Sequence, residues 1–145
     1  MALRIGWKEL HRFIQDVFIN LGVPEEDARI CADVLICSDL HGIESHGIGR
    51  TKMYFDRIQA GIQYPVTNIE VVSDKAATAV WDGGHGMGHV IGHKAMQAAM
   101  EKAKQYGLGS VAVRNSTHYG IAGYYTKMAA ASNMIGLTFT NARPS

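Results

Sequence analysis

The sequence has little cysteine, no excess of either charge and no long hydrophobic run, and each shortage removes a class of protein. Its two cysteines, Cys31 and Cys37, fall six positions apart on one predicted helix. That spacing puts them on largely different faces, so they are read as small buried residues of a reducing compartment and not as a disulfide. Fourteen Lys and Arg stand against 13 Asp and Glu, and no basic segment gathers as a phosphate-binding stripe requires, which argues against a nucleic-acid partner. Glycine, lysine or serine interrupts every apolar stretch well short of a membrane span, so no transmembrane helix and no membrane partner are expected. The opening MALRIGWKEL lacks the apolar core and small-residue cleavage site of a secretion signal, and a cytoplasmic protein is the expectation. Internal repeats and low-complexity segments are absent as well.

What is present reads as a globular chain: 145 residues, 47% hydrophobic and 19% charged, enough to bury a core. Trp7, Leu10, Phe13, Ile14, Val17, Phe18 and Leu21 recur at helical spacing, with Gly22 as a stop. Pro24 and the acids Glu25, Glu26 and Asp27 open a second helix, whose apolar face is Ala28, Cys31, Val34 and Leu35 and which ends near Gly42. Ser45 is the expected N-cap of a third, running to Gly61. Beyond Tyr64 and Pro65, NIEVVSD and ATAVWDGG read as strands. A long helix over GMGHVIGHKAMQAAMEKAKQYG, a strand over LGSVAVRNS, a helix over AGYYTKMAAASN and a final strand over MIGLTFTN complete the pattern. The fold class is therefore α/β: a helical N-terminal lobe followed by a mixed, at least partly parallel sheet.

Three constellations carry chemistry. On a helix, His46, Arg50 and Tyr54 are four residues apart and share a face. A histidine to move a proton and an arginine to grip a carboxylate are what a 2-hydroxy or 2-oxo acid needs, and Ser45 could orient the imidazole; the same spacing also describes an ordinary solvated face. RNSTHYGIAGYY lies between a strand and a helix, where ligands of open α/β sheets bind. There His118 could contact substrate, and the helix start offers amides to a phosphate, although a loop histidine with turn glycines fits equally well. In GGHGMGHVIG the glycines miss the GxGxxG dinucleotide spacing. His85, His89 and His93 lack the glutamate or cysteines of a metal helix, so no metal is expected and the segment reads as a glycine-rich helix start packed tightly on the sheet.

VPEEDARICADVL, DLHGIESHGIGR, ATAVWDGGHGMGHVIGHKAM, VAVRNSTHYGIAGYY and MIGLTFTNARPS, in this order, closely resemble the N-terminal part of the type-2 malate/L-lactate dehydrogenases, which include sulfolactate and ureidoglycolate dehydrogenases. The resemblance implies a non-Rossmann NAD(P)-binding fold and an oxidoreductase that uses NAD or NADP to interconvert a 2-hydroxy acid and a 2-oxo acid, most simply malate and oxaloacetate or L-lactate and pyruvate. By the same resemblance, residues 1–64 form a substrate and dimerisation lobe of a homodimer, and 65–145 form part of the cofactor-binding domain. His46 corresponds to the proton donor, Ser45 to its relay partner, Arg50 to the carboxylate clamp and Tyr54 to a pocket-lining residue. His118, Tyr119, Gly120, Ile121 and Ala122 correspond to a cofactor-binding segment, His118 also to a second acid/base candidate, and Ala142 to a backbone contact with the cofactor. Family members are longer, so the chain is expected to be truncated, and an inactive, folded or dimer-associated fragment is the alternative expectation.

Overall fold

The computed structural model describes residues 4–141. Its first half is helical: α1 (Trp7–Asn20), α2 (Glu25–Leu40), two short 3-10 turns (Glu44–His46 and Ile48–Arg50) and α3 (Thr51–Gln59). Its second half is β1 (Glu70–Asp74), β2 (Thr78–Asp82), α4 (Gly88–Tyr106), β3 (Ser110–Arg114) and α5 (Ala122–Ala131).

One local device ends α1, α2 and α3. After Leu21, Gly22 turns left-handed at φ +88°. Its N–H donates to Ile19 O at 2.9 Å, and the Val23 N–H reaches back to Phe18 O at 3.0 Å. Two carbonyls that the helix would leave bare are thereby satisfied, and glycine adopts this conformation without a Cβ penalty. Gly42 does the same for α2, with Gly42 N–H to Asp39 O at 2.9 Å and Ile43 N–H to Ser38 O at 2.9 Å. Gly61 and Ile62 repeat the pattern on Ile58 and Arg57 behind α3. The sharp stop after α2 sends residues 43–50 back across the end of that helix.

The sheet has the order β1-β2-β3, with β1 antiparallel and β2 parallel to their respective neighbours β2 and β3. A tight hairpin at Lys75 and Thr78 links the first pair, and α4 forms the crossover between the parallel strands, as a parallel connection requires. The mixed sheet matches the expectation from the sequence. A single buried cluster joins the helices to the crossover: Ile14, Phe18, Ala28, Cys31, Leu35 and Tyr54 pack with Met87 and Val90. Among the described residues no helix is long and apolar enough to cross a membrane.

Four local expectations are corrected. The third helix does not start at Ser45, because Gly47 (φ −91°, ψ −148°) interrupts the helical phase and splits the stretch into two 3-10 turns before α3. Cys31 is buried, but Cys37 is partly exposed, and both are free thiols. Trp7 and Phe13 face outward, since the apolar stripe of α1 is wider than the face that Ile14 and Phe18 bury. MIGLTFTN is not a strand: residues 134–141 carry no ladder, and Ile135, Leu137 and Phe139 are 94%, 71% and 87% exposed. Alternating hydrophobicity identifies an extended segment, but a strand also needs a neighbour for its backbone groups.

The start of α4 is packed as tightly as its glycines foretold. A Cβ on Gly88 would overlap the carbonyl oxygens of Thr117 and His118. Backbone carbonyls cannot rotate away, so Gly88→Ala is expected to cost about 3 kcal/mol of overpacking, more than the roughly 1 kcal/mol that alanine's helix propensity returns. Urea denaturation should show a lower midpoint with an unchanged slope.

Candidate active site

Two segments far apart in sequence meet at the carboxyl ends of β2 and β3. The first is the pair of turns after α2. The Asp39 carboxylate, in the last turn of α2, accepts the Ile48 N–H at 2.8 Å, and a Cβ at Gly47 would overlap that carboxylate. Gly47 is therefore the residue that lets the turn close on its anchor. In the turn, Ser45 Oγ lies 2.9 Å from His46 Nδ1, and the Arg50 Nε–H donates to Ser45 O at 2.6 Å. Arg50 Nη1 also touches Met53 Sδ at 3.6 Å. The expected grouping of Ser45, His46 and Arg50 thus forms, although through a turn and not along one helix face.

The second segment is the loop from β3 to α5. Asp82, at the end of β2, binds Gly84 N–H at 2.9 Å, Arg114 Nε at 2.9 Å and Asn115 Nδ2 at 2.8 Å. These bonds, the Gly84 N–H foremost, hold its carboxyl below the usual range. Thr117 then clasps the start of α4: its Oγ1 accepts the Gly88 N–H at 2.9 Å and donates to Gly86 O at 2.7 Å. Thr67 Oγ1 accepts the neighbouring Met87 N–H at 3.0 Å. No side chain of α4's own N-cap does this work, so two threonines remote in sequence replace it.

With the loop held in this way, the His118 ring stacks on the His46 ring at 5.5 Å between centroids and 19° between planes. Behind them, Tyr54 is fully buried (0% exposed). Its hydroxyl is 2.6 Å from His118 Nδ1, and its ring packs T-shaped with His89 at 4.6 Å between centroids. Tyr54, expected to line the pocket, is buried and meets the site through the His118 ring. Desolvation raises the Tyr54 pKa and keeps the phenol protonated. Desolvation, reinforced by His46, Arg57 and Arg50, lowers the His118 pKa to about 4. His89, wholly buried with neither ring nitrogen hydrogen-bonded, is pushed down to about 3 by the same burial.

The other loop residues divide by orientation. The Tyr119 ring stacks on Tyr125 at 4.9 Å and 5°, and the Tyr125 hydroxyl donates to Tyr119 O. Gly120 and Ile121 are buried, whereas Ala122 and Gly123 are exposed where α5 begins. Open space surrounds Gly123. Ala142 lies outside the described residues. Of the other histidines, His85 sits in the turn before α4 at φ +55°, and His93 Nδ1 faces the Tyr124 hydroxyl at 3.3 Å. Asp39, Thr67 and Thr117 are the supporting residues that spacing did not single out, while His89 stood out only as a discounted metal ligand and serves instead as a buried neighbour of Tyr54. Only the run DLHGIESHG, which puts an acid just before the site turn, held a local hint of one of them.

A family model described as malate/L-lactate dehydrogenase matches residues 5–145. The chain belongs to the malate/L-lactate dehydrogenase family. It is 51% identical over 142 residues to the malate dehydrogenase of Pyrococcus abyssi, covering 98% of this chain and 39% of that protein. It is 49% identical over 134 residues to the L-sulfolactate dehydrogenase of Methanocaldococcus jannaschii, covering 92% and 39%. The solved malate dehydrogenase of Pyrococcus horikoshii superposes with a TM-score of 0.88 at 47% identity, over 90% of this chain and 37% of that one. The chain thus spans about two fifths of the length of the curated family members it matches.

Two measurements probe this site. Asp39→Ala should destabilise the fold by about 1 kcal/mol, the usual worth of a lost cap, and broaden the His46 ring signals in NMR spectra. Because His118 and His89 titrate lower when folded than the ordinary 6.5, the unfolded chain takes up protons first. Their contribution is complete above about pH 6.5 and is lost as the pH falls toward 4. Denaturation midpoints should fall over that window, and less steeply in a His89→Met variant.

Proposed function

We propose that this chain carries the acid-handling half of an NAD- or NADP-dependent dehydrogenase that interconverts a 2-hydroxy acid and its 2-oxo acid, with malate and oxaloacetate or L-lactate and pyruvate as the first candidates. The observation that carries this reading is the stacking of His46 on His118, with Arg50 anchored beside them. Arg50 offers its guanidinium nitrogens to the substrate carboxylate, and its bond to Ser45 O fixes where that carboxylate must lie. In the oxidation direction His46 takes the proton of the 2-hydroxyl on its free nitrogen, while Ser45 Oγ steadies Nδ1. In the reduction direction the imidazolium returns that proton to the C2 oxygen. His118 contacts the same oxygen from the other segment.

The residues fit a nicotinamide cofactor. The backbone of the His118–Ala122 loop apart from Gly120, whose N–H is given to His118 Nδ1, and the first amides of α5 beside the open Gly123 are a donor set suited to its phosphates. When bound, the cofactor supplies or accepts the hydride. On this reading residues 1–64 hold the acid and residues 65–145 hold the cofactor. The outward Trp7, Phe13 and Phe55 would then serve a homodimer contact.

A second reading, a folded piece that does not turn over unaided, is favoured by the bare Ile135, Leu137 and Phe139 together with the partial coverage of the relatives. Oxidation of NADH and of NADPH by the purified 145-residue chain, with a panel of 2-oxo acids, separates the two. Under the first reading turnover is present, and His46→Ala lowers it by roughly 10² to 10⁴. Undiminished turnover in that variant overturns the role of His46, and no turnover by a folded sample supports the second reading.

A further inference from the structure

His118 Nδ1 has two neighbours that settle its protonation. One is the Tyr54 hydroxyl at 2.6 Å. The other is the Gly120 N–H at 3.3 Å, two residues along the same loop. A hydroxyl can donate or accept, but a backbone N–H can only donate. Nδ1 must therefore present its lone pair, the Tyr54 O–H must point toward it, and the one proton of the neutral ring must sit on Nε2. That nitrogen lies across the ring from Tyr54, and among the described residues it takes no hydrogen bond.

We propose that Tyr54 is a positioning residue which, with the Gly120 N–H, locks His118 as the neutral Nε2–H tautomer, so that His118 serves the site as a fixed hydrogen-bond donor to the substrate's C2 oxygen and not as its proton carrier. This rests on the reading of the site as a 2-hydroxy-acid site. To act as a base through Nε2, the ring would have to move its proton to Nδ1, against the fixed Gly120 N–H. To act as an acid, its imidazolium would present Nδ1–H to the same donor. Both states forfeit the Gly120 bond and set an N–H against it, while the Tyr54 hydroxyl would have to turn from donor to acceptor.

The surroundings agree. His46 and Arg50 face His118 from the turns, Tyr54 and Arg57 from α3 and His89 from α4, and no carboxylate among them would favour an imidazolium. On its far side Tyr54 is held by Phe18 and His89, and from α2 the buried Cys31 lies near it. The donated proton stays on His118, so the proton that moves is left to His46, whose Nδ1 partner is a hydroxyl that can accept as well as donate. Of two stacked imidazoles, one is thereby a fixed donor and the other a carrier.

The test is a ¹⁵N–¹H correlation spectrum of the histidine rings of this 145-residue chain, recorded from pH 5 to 8. Expected is a His118 ring that stays neutral throughout with the proton on Nε2. In Tyr54→Phe, which retains the buried ring and leaves only the long Gly120 bond on Nδ1, the Nε2–H tautomer should still lead but the Nδ1–H form should become detectable, and the His118 pKa should rise by about one unit or more toward the ordinary value. In His46→Ala, which keeps both donors, the Nε2–H tautomer should persist. A proton on Nδ1 in the parent chain, titration near 6.5 there, or an unchanged tautomer and pKa in Tyr54→Phe overturns the lock. If Tyr54→Phe does not fold, the parent and His46→Ala spectra decide. None of these readouts depends on turnover, so a locked ring in a chain that shows no dehydrogenase turnover would count against the activity and leave the lock standing.

Discussion

The bond between Tyr54 and His118 is the constraint around which the rest is arranged. It spans 64 positions of sequence and ties the helical segment to the loop that follows the sheet. A bond of this kind contributes only about 0.5–1.5 kcal/mol net to folding, too little to set a loop by itself. The structure therefore prepares both ends. Thr117 fixes the loop on the start of α4, Gly88 lets the two backbones touch, and Asp39 pins the turn that brings His46 over His118. The hydroxyl meets a ring that is already in place.

Burial also sets the charge at this place. Three imidazoles and the phenol of Tyr54 crowd a space with Arg50 and Arg57 close by and no acid directly against the rings. With the buried rings neutral, the arginines supply the positive potential, which favours an anionic ligand on the open side. His89 shows the cost of the arrangement. It has no partner for either nitrogen, an expense of buried polarity that its packing against Tyr54 accompanies.

Much of the fold was legible because its signals are local. α1, α2, α4 and α5 follow from apolar spacing, the glycine stops follow from the LGV, HGI and AGI triplets, and the three strands follow from β-branched runs between turn formers. The site was legible in part. SHGIGR and the loop of His118 stood out by residue type, and Ser45, His46 and Arg50 do converge. Failures occurred where a partner elsewhere decides the outcome. Gly47 looked like one more helical position until Asp39 occupied the space beside it. The bond of Tyr54 to a histidine 64 positions on could not be read from its four-residue spacing with Arg50. Met134–Asn141 has the alternation of a strand but no neighbour to pair with. Thr67 and Thr117 cap a helix from a distance, and no local pattern marks such caps.

The parallel pairing of β2 with β3 has a consequence for the order in which the molecule forms. α1 and α2 are adjacent in the chain and can dock through a short turn. β3 can find β2 only after the intervening crossover has been made, and closing so long a loop costs entropy before its contacts return anything. His118 follows β3, so it arrives after His46, Arg50 and Tyr54 are already displayed on a helical platform. A chain growing from its amino end would thus carry His46 and Arg50 without their partner loop until the crossover closes, and the stacking of the two imidazoles becomes a late event of folding.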